Sequence, residues 1–217
     1  MKRKSLLVVG LGAFGRLVAE KFAESGHHVM AVDKDEERVN AVINCVTDGQ
    51  IGDSTQANFL QSLGISDYDA CIVAIGGDFQ SSLETTCLLK ELGAKRVVSR
   101  AESDGQAKFL LRNGADEVVY PEKQLAGWLA IKYGLDHVLD YIELDSDCSI
   151  YEIEIPKAWR GKSIAETDVR KKHGVNIVAV KSGGKIDAVV APDLVLDGDK
   201  TLFVLGRTKD INKITGI

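Results

Sequence analysis

Three glycines in the run Gly10-Leu11-Gly12-Ala13-Phe14-Gly15 follow an apolar stretch and open an amphipathic one. That setting suits a diphosphate. The first glycine permits a tight turn, the second lets phosphate oxygens approach the backbone, and the third lets helix and strand pack closely. A helix starting near Ala13, with Phe14 in its first turn, directs unpaired N–H groups and a positive dipole end at the anion. Asp33 ends the next apolar run, Ala31-Val32-Asp33, about twenty residues further on, where a carboxylate accepts hydrogen bonds from both ribose hydroxyls. Its charge repels a 2′-phosphate, so ATP, ADP or NAD is expected over NADP; neighbouring Lys34 weakens that exclusion. Ile75 and Gly76 should face the glycine loop across the point where strand order reverses. Asp53 and Ser54 end a third strand, where an adenine edge would sit, although a helix N-cap is the plainer role for Asp53 and the two can coexist. Arg16 and Arg100 are the cations best placed to reach phosphate oxygens; for either, a solvated surface charge is the alternative.

Positioning these groups requires strands buried on both faces between helices. Short Val- and Ile-rich runs at 6–9, 29–32, 46–51, 71–75, 97–99 and 118–120 alternate with stretches carrying apolar residues at three- and four-residue spacing. Gly26, Gly64, Gly93 and Gly114 each follow such a stretch as helix stops, and Ser103 with Gln106 forms a capping box. Right-handed crossovers then stack the units into an α/β, doubly wound parallel sheet. Residues 122–140 read as a helix interrupted at Gly134. Beyond it the texture changes to alternating strands at 149–155, 175–181, 186–190 and 202–205, with a turn at Ser182-Gly183-Gly184. These predict a mostly antiparallel, smaller α+β domain with one exposed face. The expected domains are 1–139 and 140–217.

The bulk composition narrows the partners. The chain has 217 residues, 45% hydrophobic and 27% charged, enough for one full-sized domain and a small companion. A net charge of −5 argues against nucleic acid, which demands a dense cationic cluster. No apolar run approaches membrane-spanning length, so a cytoplasmic chain without direct membrane insertion is expected. The four cysteines have no paired spacing, Cys71 reads as a small buried hydrophobe, and the four histidines lack partners at metal-ligand spacing.

The order Gly-Leu-Gly-Ala-Phe-Gly, Ala-Val-Asp, Ile-Gly-Asp-Ser-Thr, Ile-Val-Ala-Ile-Gly and Gly-Ala-Asp-Glu-Val-Val-Tyr-Pro-Glu, followed by the segment from Asp168 to Lys181, resembles the cytosolic regulatory (RCK domain) subunits of bacterial Trk/Ktr potassium-uptake systems, closest to the Ktr type. The resemblance runs essentially the full length. It implies homodimers assembling to an octameric ring beneath a membrane-embedded potassium channel or transporter, with nucleotide exchange reshaping the ring and gating the pore. The interrupted helix near Gly134 resembles the family's crossover helix. Glu122, in Pro-Glu, would approach the terminal phosphate and a divalent cation, magnesium or calcium, across the dimer interface, and Arg100 would share that phosphate site. One departure is Ala13, where relatives often carry Arg; Arg16 would substitute, or phosphate affinity would shift. The resemblance favours ATP/ADP, with NAD/NADH the alternative. It also implies cyclic di-AMP at the C-terminal domain through Ile164, Asp168, Arg170, Asn176, Ile177 and Pro192. Arg170 suits a phosphate, Asn176 an amide hydrogen bond, and the apolar residues a base. For Ile164 and Ile177 the plainer role is core, and for Arg170 a surface ion pair.

Two classes of function therefore compete. A binding module gates by ligand-dependent conformational change and needs no chemistry of its own. An NAD-dependent oxidoreductase needs a proton donor and a sizeable second domain, and neither stands out here, so no enzyme activity is expected. A DNA-binding repressor with a similar nucleotide fold would need a basic helix-turn-helix, for which the chain offers no room after Lys4.

Overall fold

The computed structural model describes residues 2–145 and 147–215; the outer domain bounds at positions 1 and 217 lie outside them. Contacts divide the chain into two compact units, 1–122 and 123–217.

The first unit alternates strand and helix: β1 (Ser5–Val9), α1 (Ala13–Glu24), β2 (His28–Asp33), α2 (Glu36–Val42), β3 (Asp48–Ile51), α3 (Ala57–Ser62), β4 (Ala70–Val73), α4 (Phe79–Glu91), β5 (Val97–Arg100), α5 (Asp104–Arg112) and β6 (Glu117–Val119). All six strands pair in parallel, in the order β3-β2-β1-β4-β5-β6. Order therefore reverses between β1 and β4. Leu7 and Val9 of β1 pack on one face with Leu60 and Leu89, while Val8 packs on the other with Ala19 and Val39. Burial on both faces is why the central strands β1, β2 and β4 read as apolar runs. The helix stops hold, Gly26 at φ 81° and Gly93 at φ 85° among them. The capping box is shifted: Gln106 N–H donates to Ser103 Oγ at 3.2 Å, but its side chain accepts from Glu102 N–H at 2.8 Å.

The second unit carries α6 (Pro121–Gly134, which begins at the junction), β7 (Val138–Glu143), β8 (Cys148–Glu154), α7 (Ile164–Thr167), α8 (Val169–His173), β9 (Asn176–Ser182), β10 (Lys185–Asp187), β11 (Thr201–Arg207) and α9 (Thr208–Thr215). Its sheet is antiparallel throughout, ordered β10-β9-β11-β8-β7. Tyr151, Ile153, Leu202, Val204 and Ile211 form the core beneath one face. On the other, buried Glu152 accepts from Lys181 Nζ at 3.0 Å and Thr201 Oγ1 at 2.7 Å.

Two expectations change. The stretch 122–140 is not helical throughout: α6 ends at Gly134 and Val138–Glu143 is a strand, paired with β8. The contact division falls after Glu122 instead of residue 139, because Ile131, Leu135 and Val138 pack against the second unit's core.

Candidate functional site

The turn between β1 and α1 is built by three different steric demands. Gly10 sits at φ 89°, and a β carbon there would meet Ile75 N at 2.8 Å. At Gly15 a β carbon would lie 1.8 Å from Gly10 O, so only glycine lets the helix descend onto the strand. Gly12 caps α1 at φ −59°, and nothing lies within 4 Å of its would-be β carbon. The space over Gly12 is open.

Asp33, 7% exposed, is tied to this loop. Leu11 N–H donates to its Oδ2 at 2.6 Å and Asp35 N–H to its Oδ1 at 3.0 Å, while Arg38 Nη1 lies 3.6 Å from Oδ2. At the end of β3, Asp53 accepts from Thr55 N–H and Thr55 Oγ1, which hold its carboxyl below the usual range. It closes a turn and does not cap α3, whose N-cap is Gln56. Ser54 is buried, its hydroxyl 2.8 Å from Thr85 Oγ1.

Across the sheet's switch point, Ile75 and Gly76 follow β4. A β carbon on Gly76 would meet Arg100 Nη1 at 2.1 Å, so the guanidinium lies directly on the loop backbone. Arg100 Nη1 is 3.4 Å from Glu102 Oε1, Nη2 donates to Glu122 Oε1, and the guanidinium carbon stands 5.9 Å from the centre of the Phe14 ring. Its buried Nε has no hydrogen-bond partner among the described residues. The amide of Glu122 itself, then Arg100, holds the Glu122 carboxyl below its ordinary range. Glu102 also accepts from Gly77 N–H at 3.1 Å.

A cleft of about 680 Å³ gathers nearly all of these groups: Gly10, Gly12, Ala13, Phe14, Asp33, Lys34, Asp53, Ser54, Ile75, Gly76, Arg100 and Glu122 all line it. Gly15 is buried beneath. Arg16 is exposed and lies outside the lining, where Leu17 takes its place, because one position along a helix is a 100° rotation. Sequence reasoning missed Arg38, which lines the cleft, and Glu102, which braces Arg100; both sit in charged stretches resembling ordinary solvated surface.

With this geometry in hand, comparison with known proteins is informative. The TrkA-N domain family matches residues 6–121, and the TrkA-C domain family matches residues 149–217. The chain belongs to the Trk/Ktr potassium-uptake protein family. It is 37% identical to Ktr system potassium uptake protein C of Bacillus subtilis over 211 residues, 97% of this chain and 96% of that one. Identity to Ktr system potassium uptake protein A of the same organism is also 37%, over 98% and 96% of the respective chains. Among solved structures, a GsuK channel bound to NAD aligns over the whole chain with a TM-score of 0.68 at 17% identity. That likeness concerns the fold, and this chain spans 40% of the channel chain.

Within the TrkA-C unit of this family member, a second cavity of about 230 Å³ is lined by Ile164, Asp168, Arg170, Ile177 and Pro192 together with Ala165, Val169 and Val190. Asn176 is outside that lining, since it precedes Ile177 on β9 and successive strand side chains alternate. Asp168 adopts φ 50°, a left-handed conformation uncommon for a residue with a side chain. Ile177 and Ile164 also pack on the core, so their structural role is present whatever the cavity does. Cys71 is fully buried, and burial pushes its thiol up to about 12, which leaves it unreactive.

Proposed function

We propose that this chain is a nucleotide-sensing regulatory subunit of a potassium-uptake system, cytoplasmic and bound to a membrane-embedded channel or transporter, whose pore it gates through an oligomeric ring. The observation that carries the reading is the open space over Gly12. It lies at the N-terminus of a 12-residue helix with no acidic residue in its first turn, between Asp33 on one side and Arg100 on the other. An adenine nucleotide fits that arrangement: its ribose meets Asp33, its diphosphate the exposed amides, and its terminal phosphate the guanidinium of Arg100. ATP and ADP are favoured over NAD and NADH because the far end of the cleft presents a charged Arg100–Glu122 pair, which suits a phosphate better than a nicotinamide ring. Glu122 is the residue that would offer oxygen to magnesium or calcium. No cluster of three metal-ligating side chains exists among the described residues, so phosphate oxygens, water or a second copy would complete the shell.

The assembly proposed is a homodimer leading to an octameric ring. Helix α6 supports it: none of its residues is buried in the single chain, with Leu125 57%, Leu129 43% and Tyr133 77% exposed. A crossover helix exchanged with a partner would cover that surface. Among the described residues no helix is long and apolar enough to cross a membrane; in this reading the channel partner supplies the membrane part.

The second cavity supports a second ligand, cyclic di-AMP, at a dimeric C-terminal domain. Five of six expected residues converge there, with Arg170 for a phosphate and Ile164, Ile177 and Pro192 for a base.

Native mass spectrometry of the purified protein tests the central reading. The expected spectrum shows an even number of subunits, up to eight, carrying copurified adenine nucleotide. A monomer that neither retains nor takes up ATP, ADP or NADH overturns it.

A further inference from the structure

Two cations in the cleft, Lys34 and Arg38, are accounted for neither by the glycine loop nor by the phosphate end, and Arg38 is the one paired with Asp33. Arg38, in the first turn of α2, lines the cleft together with Asp33, Gly52 and Asp53. Its Nη1 lies 3.6 Å from Asp33 Oδ2 and its Nε 3.5 Å from Asp35 Oδ2, yet 54% of the side chain stays exposed.

Those contacts decide what the group can do. Two carboxylates flank the guanidinium at ion-pair distance and offset its charge, so it is poorly placed to compete for phosphate. A planar cation flanked by carboxylates and more than half exposed keeps a face open to the cleft, and a flat π-system is what such a face attracts. Asp33 marks the ribose, so the base of a bound nucleotide must lie beyond it, in the space between α2 and the turn at Gly52-Asp53-Ser54.

Resting on the reading of the cleft as a nucleotide site, we propose that Arg38 is a positioning residue whose guanidinium face stacks on the base. Stacking does not read hydrogen-bond patterns, so Arg38 contributes affinity for any purine nucleotide and little choice among them.

Calorimetric titration of the full chain and of Arg38→Ala and Arg38→Lys with ATP, ADP, AMP and GTP tests this. Lysine keeps the charge, and with it a partner for Asp33, but loses the plane. Both variants are expected to bind every nucleotide about tenfold more weakly than the parent, by the same factor for each. Binding by Arg38→Lys within twofold of the parent overturns the assignment, as does a loss that grows from AMP to ATP, the signature of a charge effect on phosphate. A parent that binds none of the nucleotides overturns the reading of the cleft itself. A parent that binds them while both variants match it overturns the role of Arg38 alone.

Discussion

Adding one methyl group at Gly12 and at Gly15 should separate ligand binding from folding. At Gly12 the backbone sits at φ −59° and the new β carbon has nothing within 4 Å. Alanine is a poorer N-cap than glycine by about 0.5–1 kcal/mol, and restricting the unfolded chain returns about 0.4–1 kcal/mol. Ligand-free stability should therefore stay within about 1 kcal/mol of the parent, a melting shift of no more than roughly 4 °C. At Gly15 the same methyl would stand 1.8 Å from Gly10 O and 2.9 Å from Ala74 Cβ, neither of which can rotate away. A normal contact needs about 3.2 Å, so α1 must retreat by roughly 1.4 Å from a close-packed core. A cost of about 3–5 kcal/mol follows, or a melting drop of roughly 12–20 °C. Gly12→Ala should instead lose ATP. A methyl over the loop keeps phosphate oxygens from the amides, and each charged hydrogen bond lost is worth about 1.5–3 kcal/mol, at least tenfold in affinity. Circular dichroism melts of the ligand-free proteins and ATP titrations of Gly12→Ala and parent are the assays. If Gly12→Ala binds ATP as tightly as the parent, phosphate does not sit over this loop. If it melts as low as Gly15→Ala, the steric account of the two glycines is wrong.

Asp33→Ala should weaken ATP and also lower the melting temperature by several degrees, because the Leu11 amide at 2.6 Å loses its acceptor; Asp33→Asn should recover part of both, and unchanged ATP affinity in either variant would remove Asp33 from the site. Lys90 and then the Val97 amide hold the Asp116 carboxyl below its ordinary range, so its stabilisation is present above the unfolded-state value near 3.9 and lost as pH falls through the folded one. Urea unfolding should therefore show Asp116→Asn less stable than the parent near neutral pH, with the two converging as pH falls through the depressed folded-state value; a constant difference would argue against the ion pair. Arg170→Ala should abolish cyclic di-AMP binding in calorimetry while sparing ATP, and equal binding by mutant and parent would end that proposal. Glu122→Gln, titrated with ATP in chelator, should bind more tightly, since one of two carboxylates competing for Arg100 is gone, whereas added magnesium should help the parent more. Equal weakening with and without magnesium would contradict both roles.

The cleft's lining was legible because its demands are steric and local. Gly10, Gly12 and Gly15 announce a turn, an opening and a close approach, and Asp33 follows at the end of a strand whose burial is written in its unbroken apolar run. What escaped depends on direction and on distant partners. Arg16 and Leu17 are neighbours in sequence but point apart on α1, and only Leu17 reaches the cleft. Arg38 sits in Asp35-Glu36-Glu37-Arg38, which reads as a solvated first turn until Asp33 is placed beside it. The first three residues of β7, Val138-Leu139-Asp140, read as helix because no turn residue except Gly134 precedes them; the partner that makes them strand, β8, is specified further along the chain. The C-terminal cavity was legible through family likeness, and Asn176 alone failed to join it, by the alternation of a strand.

The cleft is arranged to hold charge in place. Asp53, Asp78 and Glu122, all in its lining, are shifted toward the ionised form, by Thr55, by Ser81, and by the Glu122 amide with Arg100 respectively. A carboxyl acting as a general acid near neutrality needs the opposite shift, from burial or like charge. In the proposed role, a ligand that is held without reacting acts elsewhere through a difference in its affinity for two conformations. A tenfold difference is worth about 1.4 kcal/mol, whereas moving an equilibrium from one extreme to the other takes roughly 10⁴-fold. One cleft with modest discrimination would be a weak switch, and a dimer with two clefts would reach only about 10²-fold. Eight clefts shifting together in the proposed ring would compound tenfold discrimination to about 10⁸. On this reasoning a variant that binds ATP normally but stops at the dimer should lose most of its control over the pore.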